Sequence, residues 1–121
     1  MKEIRAYIQP FMLSKVMKAL QKIAKFPGIS VVEVQGFGRG KVLAPGDRII
    51  REFVPKIRLE VVVKNELVEE VVRTIEKAAH TGNLGDGVIF VINVEQAVRI
   101  RTGERDIAAI RSMRDERTEE V

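Results

Sequence analysis

Two glycine-punctuated segments, Gly36-Phe37-Gly38-Arg39-Gly40-Lys41 and Thr81-Gly82-Asn83-Leu84-Gly85-Asp86-Gly87, each adjoin an apolar run. Glycine lets a backbone turn through angles closed to other residues and lets a ligand approach the main chain closely. Successive N–H groups in such a turn form a concave site for an anion. Arginines and lysines lie beside the first segment, and Arg99 and Arg101 follow the second. Guanidinium forks and backbone N–H groups are good phosphate partners, so these residue types in this order point to a phosphate-bearing ligand. Arg99 and Arg101 alternate on what reads as an extended segment, which turns both toward one face. Alone they fit a surface pair bridged to Glu95 or Glu104; the glycine loop upstream favours phosphate contact. Asp86 shapes the Gly-Asp-Gly turn and lies in the ligand neighbourhood.

Other chemistry is sparse. His80 is the only histidine and there are no cysteines, a poor basis for a metal site. It falls at the end of a helical pattern, where a cation suits the dipole. Met12, Met17 and Met113 read as packing. No serine, histidine and acid constellation suggests a nucleophile, so the chain reads as a non-enzyme.

The 121 residues suffice for one domain and one core. Hydrophobic content is 45% and mean hydropathy −0.02, which describes a folded, soluble chain. No apolar run approaches a bilayer span, and Met1-Lys2-Glu3-Ile4-Arg5 lacks a signal-peptide core, so a cytoplasmic protein is expected. Net charge is +4. Acids and bases intersperse along most of the chain; residues 39–58 are the one-sided stretch, with Arg39, Lys41, Arg48, Arg51, Lys56 and Arg58 against Asp47 and Glu52. A basic loop fits better than a basic protein, and nucleic acid is not the expected partner.

The elements that must hold these loops follow from periodicity. Ile4, Ala6 and Ile8 alternate with Glu3, Arg5 and Tyr7 over residues 2–9, a half-buried strand. Ser14 can cap a helix carrying Leu13, Val16, Leu20, Ile23 and Ala24, which Pro27-Gly28 closes. Ile29 to Val34 is β-branched and reads as a second strand. Residues 37–54 show no sustained period and form a long loop of the kind that is often functional. Ile57, Leu59, Val61 and Val63 face inward on a third strand. Asn65 caps a second helix with Leu67, Val68, Val71, Val72, Ile75, Ala78 and Ala79 on one face, and Gly82 suits its C-terminal cap. Val88 to Val94 is a nearly continuous apolar run, expected for a strand covered on both faces. The order βαββαβ is the ferredoxin-like split βαβ plan, an α+β fold with an antiparallel sheet and both helices on one side. The other face then needs cover, which implies a closed oligomer. Residues 104–121 read as a short amphipathic segment or a charged, frayed tail.

In order along this pattern, the chain resembles the P-II signalling family. Gln35-Gly36-Phe37-Gly38-Arg39 is similar to the opening of that family's T-loop, and Phe53-Val54-Pro55-Lys56 to its close. Thr81-Gly82-Asn83-Leu84-Gly85-Asp86-Gly87-Val88-Ile89-Phe90 resembles its C-terminal signature, and Val98-Arg99-Ile100-Arg101-Thr102-Gly103-Glu104 the segment after it. The resemblance spans residues 1–110 and leaves 111–121 as a charged tail. It implies a homotrimeric sensor that binds ATP or ADP in clefts between subunits and docks its T-loop, about 37–54, on a target, often a membrane transporter. On that basis Gly36, Phe37, Gly38, Arg39 and Lys56 lie beside the phosphates, and Gly85, Asp86 and Gly87 wrap the nucleotide. Arg99 and Arg101 reach phosphate from the neighbouring subunit's side. The turn Gly28-Ile29-Ser30 meets base or ribose, and Lys41, Arg48 and Arg51 face the partner.

Three departures bear on function. Gly40 stands where the resemblance implies a glutamine that helps hold Mg²⁺ with ATP and 2-oxoglutarate. Val88 stands where it implies a cation after Gly-Asp-Gly, whose loss weakens a triphosphate relative to ADP or AMP unless Lys41 or Arg48 compensates. The T-loop region holds neither tyrosine nor serine, so modification there by uridylylation or serine phosphorylation is excluded. Alternatives to a nitrogen regulator are a similar regulator of metal efflux or of bicarbonate and carbon metabolism, and a structural trimer that binds no nucleotide.

Overall fold

The structure, a computed structural model, describes residues 1–36, 42–44, 48–50 and 54–110. Strand β1 (Lys2–Ile8) is followed by a 3-10 turn, Pro10–Met12, and helix α1 (Leu13–Leu20). Strand β2 (Ser30–Gly36) leads to a short ribbon, β3 (Val42–Ala44) against β4 (Arg48–Ile50). Strand β5 (Val54–Val63), helix α2 (Val68–Ala79) and strand β6 (Gly87–Asn93) complete the plan. The main sheet has the order β2-β5-β1-β6. Every pairing in it is antiparallel, as expected from the split βαβ pattern.

The alternation in the sequence becomes a two-sided sheet because successive side chains on a strand point opposite ways. Ile4, Ala6 and Ile8 on β1 stand beside Val61, Leu59 and Ile57 on β5, and all six are buried under the helices. Val16 and Leu20 on α1 and Val71, Ile75, Ala78 and Ala79 on α2 close this core. The opposite face is open. There Tyr7 and Phe90 meet edge to face, with ring centroids 6.3 Å apart. Arg5 and Arg58 share Glu60 at 3.6 and 2.6 Å.

Several local expectations are corrected. Ser14 lies inside α1 and Asn65 in a 3-10 turn, Asn65–Leu67, and neither helix start has a side-chain cap. A turn of 3-10 helix precedes each helix and carries its first bond, Met12 N–H to Gln9 O at 3.0 Å and Leu67 N–H to Lys64 O at 3.0 Å. Helix α1 stops at Leu20 rather than reaching Ala24; Ile23 N–H bonds Leu20 O and Phe26 N–H bonds Ile23 O, tight turns that precede Pro27. Gly82, with φ +86°, belongs to the turn after α2, since the helix's C-cap is His80. Residues 37–54 hold the β3–β4 ribbon, an element their lack of period concealed. Strand β6 is an edge strand and is not covered on both faces within one chain: Val88, Phe90 and Ile92 are exposed on the open side.

Candidate functional site

The sheet brings one group of candidate residues to one of its ends. Gly36, the last residue of β2, pairs with Val54 at the start of β5, and Lys56 follows two residues later. Gly87, the first residue of β6, stands opposite Ile8 at the end of β1. A side chain at Gly87 would overlap the Tyr7 carbonyl, and φ there is +115°, so close passage of β1 and β6 requires glycine. The Lys56 ammonium donates to the carbonyl of Gly85, which ties the start of β5 to the turn before β6.

Asp86 organises that turn. Its carboxylate accepts from the Thr81 N–H at 2.8 Å, the Gly82 N–H at 2.9 Å and the Thr81 hydroxyl. The Thr81 hydroxyl, then the backbone donors of Thr81 and Gly82, hold the Asp86 carboxyl below the usual carboxylate range; partial burial opposes them, and His80, whose Nδ1 lies 3.8 Å away, assists. Thr81 and His80 are the residues sequence reasoning undervalued here. The hydroxyl and acid five residues apart within a glycine turn are the signal that could have found them.

A second group lies at the other end. Gly28, Ser30 and Arg99 line one cleft of about 350 Å³, together with Glu3 and Glu60. Ile29 packs against the core. Arg99 and Arg101 do not alternate on a strand. The Arg99 N–H bonds Glu104 O at 2.9 Å, the Gly103 N–H bonds Arg99 O at 2.8 Å, and Val98 bridges Arg105. Arg101 therefore rides the tip of a tight loop and is exposed, while Arg99 is half-buried in the cleft. Gly36 lies six positions beyond Ser30 along β2, about 20 Å of strand. The two groups thus occupy opposite ends of one sheet. Phe37, Gly38, Arg39, Gly40, Lys41 and Arg51 lie outside the described residues, as do 111–121; of Arg48 the backbone alone is described, in β4. Among the described residues no three histidine, aspartate or glutamate side chains gather as a metal site. No helix among them is long and apolar enough to cross a membrane.

An antiparallel α+β domain with a glycine-built rim at one end of the sheet and a polar cleft at the other is a ferredoxin-like arrangement. The family model described as "Nitrogen regulatory protein P-II" matches residues 1–104, and the chain belongs to that family. The nitrogen regulatory protein P-II of Bradyrhizobium diazoefficiens is 48% identical over 113 residues, covering 91% of this chain and all of the relative. Nitrogen regulatory protein P-II 1 of Escherichia coli strain K12 is 46% identical over the same shares. The crystal structure of Arabidopsis thaliana PII bound to citrate matches with a TM-score of 0.74 and 40% identity, covering 89% of this chain and 90% of that one. These relatives are regulatory proteins, and this chain is a regulator rather than an enzyme.

Proposed function

We propose that this protein is a homotrimeric sensor that binds ATP or ADP in clefts between subunits and signals the occupant to a target through residues 37–54. The observation that carries the reading is the separation of the two residue groups. Gly36, Lys56, Gly85, Asp86 and Gly87 stand at one end of the sheet, and Gly28, Ser30 and Arg99 at the other. A single small ligand that touches both must bridge two copies, and a closed ring repeats that junction at each interface. The open sheet face, with Val88, Phe90 and Ile92 exposed, supplies apolar surface for such an assembly.

In this arrangement Phe37, Gly38 and Arg39 join the glycine end against the phosphates, Arg101 adds its guanidinium from the adjacent subunit, and Ile29 holds the turn that meets base or ribose. Mg²⁺ enters on the nucleotide phosphates, an ion that needs few protein ligands. Differential contact of ATP and ADP with the base of the loop shifts its conformation, since a ligand moves an equilibrium only through its preference between states. Lys41, Arg48 and Arg51 then meet the target, a membrane transporter or an enzyme of nitrogen metabolism. The citrate in the Arabidopsis relative is consistent with anion binding in this family.

Val88 favours a second reading of the ligand. It is exposed on the open face beside Tyr7, an apolar side chain next to the glycine rim. A rim without a cation there suits ADP or AMP better than ATP, and with Gly40 it argues against 2-oxoglutarate sensing. This variant fits a regulator of metal efflux or of bicarbonate metabolism. Calorimetry of the whole protein with ATP, ADP and AMP, with and without Mg²⁺, tests both. Micromolar binding with a preference among the three is expected; no binding overturns the nucleotide reading and leaves a structural trimer.

A further inference from the structure

Residues 39–58 are not the only one-sided stretch of charge. Between Glu3 and Glu33 the chain contains no acidic residue, and Lys15, Lys18, Lys22 and Lys25 fall within it at intervals of three, four and three. Lys15 and Lys18 lie on α1, Lys22 and Lys25 in the turns that continue it, and all four are exposed. The three-residue spacing sets Lys15 and Lys18 along one side of α1, away from Val16 and Leu20 in the core, and Lys22 and Lys25 follow beyond the helix, Lys25 with φ 57°. Like charges at such intervals repel one another. Among the described residues no acid neutralises them: Glu69 on the adjacent helix pairs with Arg73, and the ion pairs of the sheet involve Arg5 and Arg58.

Four residues before Lys15, in the 3-10 turn that precedes α1, Phe11 is 72% exposed. We propose that the exposed lysines of α1 and of the turns after it, with Phe11 as their apolar anchor, form a docking surface for a membrane rich in anionic phospholipid. Lysine is a compact point charge without the planar fork that grips a particular phosphate or base. Between Lys15 and Lys25 there is no arginine, asparagine or aromatic side chain, and Gln21 is the one side chain there of a kind that reads a base edge. A bilayer offers diffuse negative charge to the lysines and, just beneath its headgroups, an apolar layer for the phenylalanine. Such a surface holds the regulator at the membrane by α1 and leaves residues 37–54 free for another partner.

The test is cosedimentation of the full chain with vesicles of phosphatidylcholine alone or mixed with phosphatidylglycerol, with duplex DNA titrated in parallel by fluorescence anisotropy. Binding to the phosphatidylglycerol vesicles only, weakening as salt rises, is expected. The exposed pair Lys15→Gln with Lys22→Gln weakens it about tenfold or more, and Phe11→Ser weakens it at every salt concentration, including where the charge is screened. Absence of vesicle binding overturns the proposal. So does unchanged binding of the double lysine variant, which would assign membrane affinity to residues 39–58. Tighter binding to DNA than to the anionic vesicles would assign these lysines to nucleic acid instead.

Discussion

Asp86 and Gly87 are neighbours with different tasks in the same turn. Gly87 is there for space: a Cβ would overlap the Tyr7 carbonyl in a backbone region that L residues rarely adopt. Gly87→Ala should cost about 2 kcal/mol or more in urea unfolding, by strain and by parting β1 from β6. Asp86 is there for charge. Its carboxyl is held below the ordinary range by the Thr81 hydroxyl first, then the Thr81 and Gly82 amides, with His80 nearby. A carboxyl whose folded pKa is depressed adds stability above its unfolded pKa, and that stability is lost as pH falls through the folded value. Acid should therefore loosen the Thr81–Gly87 turn, and Asp86→Asn should lower stability at neutral pH and flatten the acid limb of the stability profile. Unfolding midpoints of both proteins across the acid range would check this; an unchanged acid limb contradicts the role given to the carboxylate.

At the scale of elements, the helices and the sheet divide the work of burial. Ile75 of α2 is 1% exposed against the sheet, so Ile75→Ala should destabilise by about 2–5 kcal/mol in denaturant unfolding. The strands and helices were legible in the sequence because one face of each is buried, and burial writes a period into the residues. The inward positions of β1 and β5 and the apolar face of α2 follow it position by position. What has no period stayed hidden. The 3-10 turns that replace side-chain caps depend on backbone bonds alone. The β3–β4 ribbon and the closed loop carrying Arg99 and Arg101 are set by turns rather than by burial, so an extended reading of that segment failed. The glycine turn was legible as a turn, since Gly-Asp-Gly demands one and Thr81 stands only five residues from Asp86, while the Lys56 contact that braces it is tertiary. Lys15, Lys18, Lys22 and Lys25 were visible but diluted by an overall charge of +4, and their shared exposure is read from the structure.

At the scale of the whole molecule, one chain leaves two things unfinished: a sheet face with exposed Val88, Phe90 and Ile92, and candidate ligand groups at opposite ends of that sheet. The proposed ring of subunits would complete both. Sedimentation equilibrium should give three chains per particle, and Phe90→Asp, which puts a charge on the open face, should shift the particle toward single chains. The most direct measurement is complementation between subunits. Lys56→Ala removes a group from the glycine end and Arg99→Ala one from the far end, so each variant alone should bind ATP or ADP much more weakly than the parent in calorimetry. Co-assembled in equal amounts from the two variants, roughly a quarter of subunit junctions unite an intact Lys56 with an intact Arg99. A site at the junction predicts that this fraction regains parental affinity. No recovery on co-assembly, with each variant alone impaired, would place the whole site within a single chain and contradict the intersubunit cleft.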